Sequence, residues 1–274
     1  MLNFIFYYFY KSTTKTYLLW SLKIGIFINL FLFFKTLSEP FASVDFFLLA
    51  PAQLLFVISA YRCLFPNNYS KKIVLHDTFF SSIFLTRFLV TFVEIAYIYQ
   101  FSYVIRLIND DQFLIVDILT WIMVLQVSIS QFFVWSAILL NEENLYYYEE
   151  LGWFVIFSIN TLLSIFLYLF AEVHSAQIIL LIISIIFGLL YLPWQIIHLR
   201  MIKKRVKQMS QTEGKLPKFK SEIFYKGLSE SFYTRIKRTD YDSWGGWVGM
   251  TWMYNYWIIL IPGWMFYIVY IFSI

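Results

Sequence analysis

The sequence holds a single cysteine, few charges and few small residues, and each scarcity removes a class of protein. One thiol, Cys63, cannot close an intramolecular disulfide, so a disulfide-stapled ectodomain is excluded. The ordinary role of such a residue is that of a small buried apolar side chain. Charged residues make up only 14% of the chain, where soluble domains carry roughly 25%. Glycine occurs 9 times in 274 residues, while Phe, Tyr and Ile are abundant. That bias is the one seen in products of AT-rich genomes, including those of organelles, and it bears on origin rather than chemistry.

Signatures of catalysis and of metal binding are missing too. There is no HExxH, no cysteine pair, no Gly-x-Ser-x-Gly elbow and no phosphate loop. The three histidines, His76, His174 and His198, fall in different segments, with His174 expected on the opposite side of a membrane from the other two. No metal site is therefore expected, and no residue pattern identifies a cofactor. A retinal-binding protein is excluded because residues 251–272 contain no lysine.

What is present is apolar sequence: 60% hydrophobic residues, 23% of the chain being aromatic. In hydrocarbon only helices and closed barrels satisfy their own backbone groups. Barrel strands would alternate apolar and polar residues over about ten positions. Here the apolar residues come in blocks of about twenty, the length that carries a helix across a bilayer. The expected fold class is all-α, a polytopic transmembrane helix bundle of about seven spans. The spans fall near 17–34, 46–64, 79–105, 114–140, 152–170, 176–199 and 251–272. No internal repeat or linker divides them, so residues 1–274 read as a single transmembrane domain. The first ten residues are too short to span and read as interfacial. Lys11 and Lys15 precede the first block without a small-residue cleavage site, which marks that block as a retained helix.

Charge gives the orientation. The stretch 200–250, between the sixth and seventh spans, is rich in Lys and Arg, which places it inside, on the cytoplasmic or matrix face. Seven spans then put the N-terminus inside and the C-terminus outside. Arg62, Lys71 and Lys72 fall inside as well, and the expected outer loops hold Glu39, Asp45, Asp110, Asp111 and Glu172. The Asn68-Tyr69-Ser70 sequon lies on the inner side, where it would stay unmodified. Arg200 to Lys220 reads as a helical continuation of the sixth span, ending near Gly214 and Pro217. Lys203, Lys204, Arg205 and Lys207 on it are candidates for binding lipid headgroups, against the blander role of a topology anchor. Nucleic acid is not an expected partner, because nothing else resembles a reading module.

Ionisable residues inside spans are costly and mark function more often than those in a soluble core. Arg87 and Glu94 are seven residues apart and share a helix face, with roughly 10 Å between them along the axis. Each is expected to find a partner on another helix. Arg62, Asp77, Gln126, Gln131, Glu149 and Glu150 complete the candidate polar network. Asp77 and Thr78 also suit a helix N-cap. Asn141 to Glu150 reads as an acidic inner loop with three consecutive tyrosines. It serves either as a cation vestibule, as a source of carboxylates for Arg62 and Arg87, or as a solvated turn. Lys23 reads as a snorkelling residue, Asn160 as a weaker polar case, and Pro262-Gly263 as a kink.

Three functions fit. The first is a channel or transporter using the charged network. The second is an accessory subunit of a larger membrane complex, such as a mitochondrial respiratory assembly. The third is an intramembrane lipid-modifying enzyme resting on carboxylates alone; transport ranks first and the enzyme last. Membrane lipids are the expected partners, with a homo-oligomer or a larger assembly open. The sequence does not separate a plasma membrane from an organelle inner membrane.

Overall fold

A computed structural model gives the architecture and describes residues 16–142, 144–213 and 221–273. Lys11, Lys15, Glu143, Gly214, Lys215, Pro217, Lys218 and Lys220, and the N-terminal interfacial segment, lie outside the described residues. The helices are α1 (Thr16–Ser21), α2 (Ile24–Thr36), α3 (Phe46–Leu64), α4 (Ile83–Ile108), α5 (Leu114–Leu140), α6 (Asn144–Phe170), α7 (Ser175–Glu213), α8 (Ser221–Tyr233), α9 (Gly246–Trp257) and α10 (Leu260–Ile271). Among the described residues, seven helical stretches are long and apolar enough to cross a membrane: 17–36, 46–64, 83–108, 114–140, 144–170, 175–204 and 246–271.

The ends differ from the sequence expectation where capping overrides hydropathy. The third span starts at Ile83, not at 79, because Phe79–Ser81 form a separate 3-10 turn. Ser82, rather than Asp77, caps it, its hydroxyl accepting from the Leu85 N–H at 3.3 Å. The fifth span starts at Asn144, so Glu149 and Glu150 lie on a helix and not in an acidic loop. Asn141 ends α5 in the left-handed region at φ 54°, and the chain re-enters a helix within three residues. The sixth span continues into its basic tail as far as Glu213, and 39 residues at 1.5 Å each make α7 about 58 Å long.

The seventh span is broken. Pro262 has no N–H to offer the Ile258 carbonyl, and its ring crowds that carbonyl four residues back. The helix stops at Trp257, and Ile258 and Ile259 leave helical geometry before α10 begins at Leu260. The freed Trp257 carbonyl accepts from the Asn29 amide at 2.8 Å and from the Cys63 thiol at 3.8 Å. Helix breaks in apolar surroundings persist where neighbouring side chains take over such groups.

By their internal contacts the described residues form two compact units. One takes residues up to Val44, Ala52–Val90 and Glu230–Ser273. The other takes Asp45–Pro51 and Thr91–Ser229, so α3 and α4 each contribute to both. The first unit also holds a small sheet of β1 (Asn67–Asn68), β2 (Ile73–Val74) and β3 (Ile236–Lys237). β1 and β2 pair antiparallel across the Tyr69–Lys71 turn, while β2 and β3 pair parallel, with Val74 opposite Lys237. The second unit is dominated by the antiparallel helices α5, α6 and α7. Gly188 of α7 lies so close to Thr161 of α6 that an added Cβ would overlap the hydroxyl.

Polarity is distributed inside out relative to a soluble domain. Asn29, Ser59, Gln100, Ser102, Thr120, Ser130, Ser164 and Gln195 are fully buried. Phe27, Phe132 and Leu190 are 74%, 69% and 71% exposed. Small and polar residues at helix contacts with apolar residues outward are what packing in lipid favours.

Candidate functional site

In the first unit the polar centre is Arg62, at the last turn of α3 and 7% exposed. Its two terminal nitrogens donate to the Asn67 side-chain oxygen at 2.5 Å and to the Asn67 carbonyl at 3.1 Å. Asn67 in turn donates to the Thr86 hydroxyl at 2.7 Å and the Ser81 carbonyl at 3.1 Å, tying β1 to the start of α4. The guanidinium also lies 5.0 Å from the centroid of the Trp257 ring, within cation–π range. Arg62 is thus held by an amide and a ring rather than by a carboxylate. Arg87, buried on α4, has its guanidinium 5.7 Å from the Tyr69 ring.

Asp77 takes a different partner from those its sequence position suggested. It accepts from Arg235 Nε at 2.9 Å, and beside that pair Lys72 bonds Glu230. The two pairs staple the segment between the second and third spans to the last turn of α8 and the residues just after it. Lys23 donates to the Leu64 carbonyl, so its ammonium serves the C-terminal end of α3.

In the second unit Glu94 and Gln131 meet. The Gln131 amide donates to a Glu94 carboxylate oxygen at 2.7 Å, and both side chains are buried. One turn away Trp135 donates to the Thr91 hydroxyl at 3.0 Å, so α4 and α5 share two polar rungs. Tyr97 of α4 and Trp153 of α6 stack with rings nearly parallel and centroids 5.8 Å apart. Glu149 precedes Trp153 by one turn and Glu94 precedes Tyr97 by three residues. Each buried carboxylate thus lies about one turn before a ring of the stacked pair, on the same face of its helix. Gly152 lets α6 approach α5 closely, since a Cβ there would overlap the Ser130 hydroxyl and come 2.8 Å from the Gln126 amide.

Glu150 is half-buried and faces α7. Gln195 donates to one of its carboxylate oxygens and to its own backbone carbonyl, both at 2.8 Å. His198 Nε2 lies 3.7 Å from the other oxygen, with its ring stacked on Trp194 at 4.9 Å. Lys203, Lys204 and Lys207 are exposed near the end of α7, and Arg205 lies among them with its side chain outside the described ones.

Among the described residues no group of three or more His, Cys, Asp or Glu is placed to hold a metal ion. Asn67, Arg235, Gln195 and Asn29 were not singled out in the sequence. Asn29 and Gln195 carried a readable signal, as amides inside apolar runs. Asn67 and Arg235 meet their partners only through tertiary pairing.

Seven apolar helices, a polar interior and an apolar exterior fit a multi-pass integral membrane protein. Comparison of the chain with models of known protein families, with curated proteins and with solved structures finds no match.

Proposed function

We propose that the protein is a channel or transporter that moves a cation, the proton included, past the buried carboxylates of its second unit. The observation that carries this reading is the buried Glu94–Gln131 bond at 2.7 Å, with a second buried acid, Glu149, in the same unit. An acid at that depth is expensive in lipid and is retained most readily where it serves a pathway. Glu150, half-exposed beside Gln195 and His198, gives Glu149 a polar neighbour on the same helix. In this reading the N-terminus and the basic segment face inward, the C-terminus faces outward, and Lys203, Lys204, Arg205 and Lys207 meet anionic headgroups.

The test is cation and proton flux in vesicles containing the purified full chain. Glu94→Gln keeps the hydrogen-bonding shape but loses the charge, and it is expected to abolish flux while helicity and elution profile stay unchanged. Undiminished flux in a folded Glu94→Gln protein would overturn the reading.

A further inference from the structure

Three basic side chains from three separate segments of the first unit converge beside α1. Lys23 follows Trp20 by three residues, in the turn between α1 and α2, where its N–H donates to the Trp20 carbonyl at 3.0 Å. The Trp20 ring meets the His76 ring edge-on, with centroids 5.4 Å apart. The β2–β3 pairing sets Val74 opposite Lys237, and Arg238 N–H donates to the Val74 carbonyl at 3.0 Å. That register brings Lys237 to the segment carrying His76. Lys23 and Lys237 both act on the imidazole by charge and, with burial, hold its pKa below the ordinary value.

Three acids of the same unit are engaged elsewhere, while Glu39 lies past the other end of the first span and Asp242 in the 3-10 turn before α9. Asp77 pairs with Arg235, Glu230 pairs with Lys72, and Asp240 accepts from the Ser243 N–H at 2.9 Å. Among the described residues neither Lys23 nor Lys237 has a carboxylate partner. Among the described residues the bond Lys23 makes is to a neutral carbonyl. Tyr17 and Trp20 are 58% and 51% exposed at the same end of the span, as aromatic residues at the headgroup level are.

We propose that Lys23, His76 and Lys237 bind the phosphate group of an anionic lipid, with Trp20 as the wall of the site. The two ammonium groups supply fixed positive charge, and the imidazole supplies a hydrogen bond. Lys23 sits within the apolar segment, so it is reached from the headgroup layer by extension of its own stem. A lipid phosphate approaches along that route, whereas free phosphate must come from water, and both present the same oxygens. This site is built from residues of the first unit alone and does not depend on the transport reading.

The experiment is native mass spectrometry of the detergent-purified full chain titrated with phosphatidic acid, with phosphatidylcholine, and with phosphatidic acid in the presence of inorganic phosphate. Phosphatidic acid is expected to bind in preference to phosphatidylcholine. Lys237→Gln, at an exposed position, should weaken binding about fivefold, and Lys23→Gln/Lys237→Gln about another fivefold. Lys35→Gln, an exposed position at the other end of the first span, should leave the affinity unchanged. Displacement by inorganic phosphate identifies the phosphate group alone as what is held, and retention assigns the site to the intact lipid. Equal binding of the two lipids, an unchanged Lys237→Gln affinity, or an equal loss in Lys35→Gln would overturn the proposal.

Discussion

Asn29 donates its side-chain amide to the Trp257 carbonyl at 2.8 Å and to the Gly25 carbonyl at 2.7 Å, and it has no exposed surface. One amide therefore serves the main-chain acceptor that the break before Pro262 releases. Asn29→Leu leaves that carbonyl with the Cys63 thiol alone, at 3.8 Å. The expected loss is about 1–3 kcal/mol, the penalty for a buried acceptor without a proper donor. Thermal unfolding in detergent measures it. In a Pro262→Ala background, where a continuous helix can form, the same substitution should cost less, and an equal cost would sink this account of the break.

Gly152 sets the distance between α5 and α6 in the second unit. A Cβ there would overlap the Ser130 hydroxyl, whereas a Cβ on Gly263 meets nothing within 4 Å. Gly152→Ala is expected to destabilise by about 1–3 kcal/mol through overpacking. Gly263→Ala should be neutral or stabilising by up to about 1 kcal/mol through helix propensity. Ser130→Ala should recover part of the Gly152→Ala loss, because the clash is with a side chain that can be trimmed. No such rescue is available at Gly227, whose Cβ would strike the backbone carbonyl of Leu139. Melting temperatures of the four variants test the order.

Helix number and type were legible because unbroken apolar runs of span length have few alternative structures. The second and fourth spans fall at 46–64 and 114–140 in both sequence and structure. The misplaced starts share one cause. Phe79 and Phe80 are as apolar as the helix that follows but fold as a 3-10 turn, and Asn144 to Glu150 are polar yet helical. Hydropathy reports solvent preference, not backbone state. The small sheet escaped notice because strands of two residues show no periodicity. Arg62, Glu94 and Gln131 stood out as polar residues in apolar runs. Glu94 and Gln131 partner each other, but the partners of Arg62 and Asp77 did not stand out, since Asn67 is set by the turn after α3 and Arg235 arrives from far along the chain.

His76 gives the first unit a pH response. Burial, then the charges of Lys23 and Lys237, lower its pKa in the folded state. An unfolded histidine titrates near about 6.5. Between the two values the unfolded chain binds the extra proton, so stability rises with pH. The contribution is fully present above about 6.5 and is lost as pH falls from there towards the folded value. His76→Asn should flatten that limb of a melting-temperature profile. Asp240 acts lower on the scale: bonds from Ser243 depress its pKa, so its contribution is lost only as pH falls through that depressed value. An undiminished slope near pH 6 in the His76→Asn protein would refute the assignment.

Arg62 and the two surface pairs lead to opposite expectations for conservative replacement. Lys72–Glu230 and Asp77–Arg235 are partly exposed, so each should contribute about 0–1 kcal/mol and weaken with salt. Among the described residues buried Arg62 has no carboxylate partner, and its Nε has no hydrogen-bond partner. Its charge therefore carries a desolvation cost that the Asn67 oxygens and the Trp257 ring offset only in part. Arg62→Met removes that charge and keeps an unbranched apolar side chain of similar reach, at the expense of two unpaired Asn67 oxygens. Arg62→Lys keeps the charge, loses the two-pronged bond and loses the flat face that lies on the ring. Arg62→Lys should thus destabilise more than Arg62→Met, and neither loss should depend on salt. An acid partner for Arg62 would reverse that order, because the lysine would still be paired and the methionine would leave a buried carboxylate alone. Melting of the two variants at low and high salt decides between the arrangements.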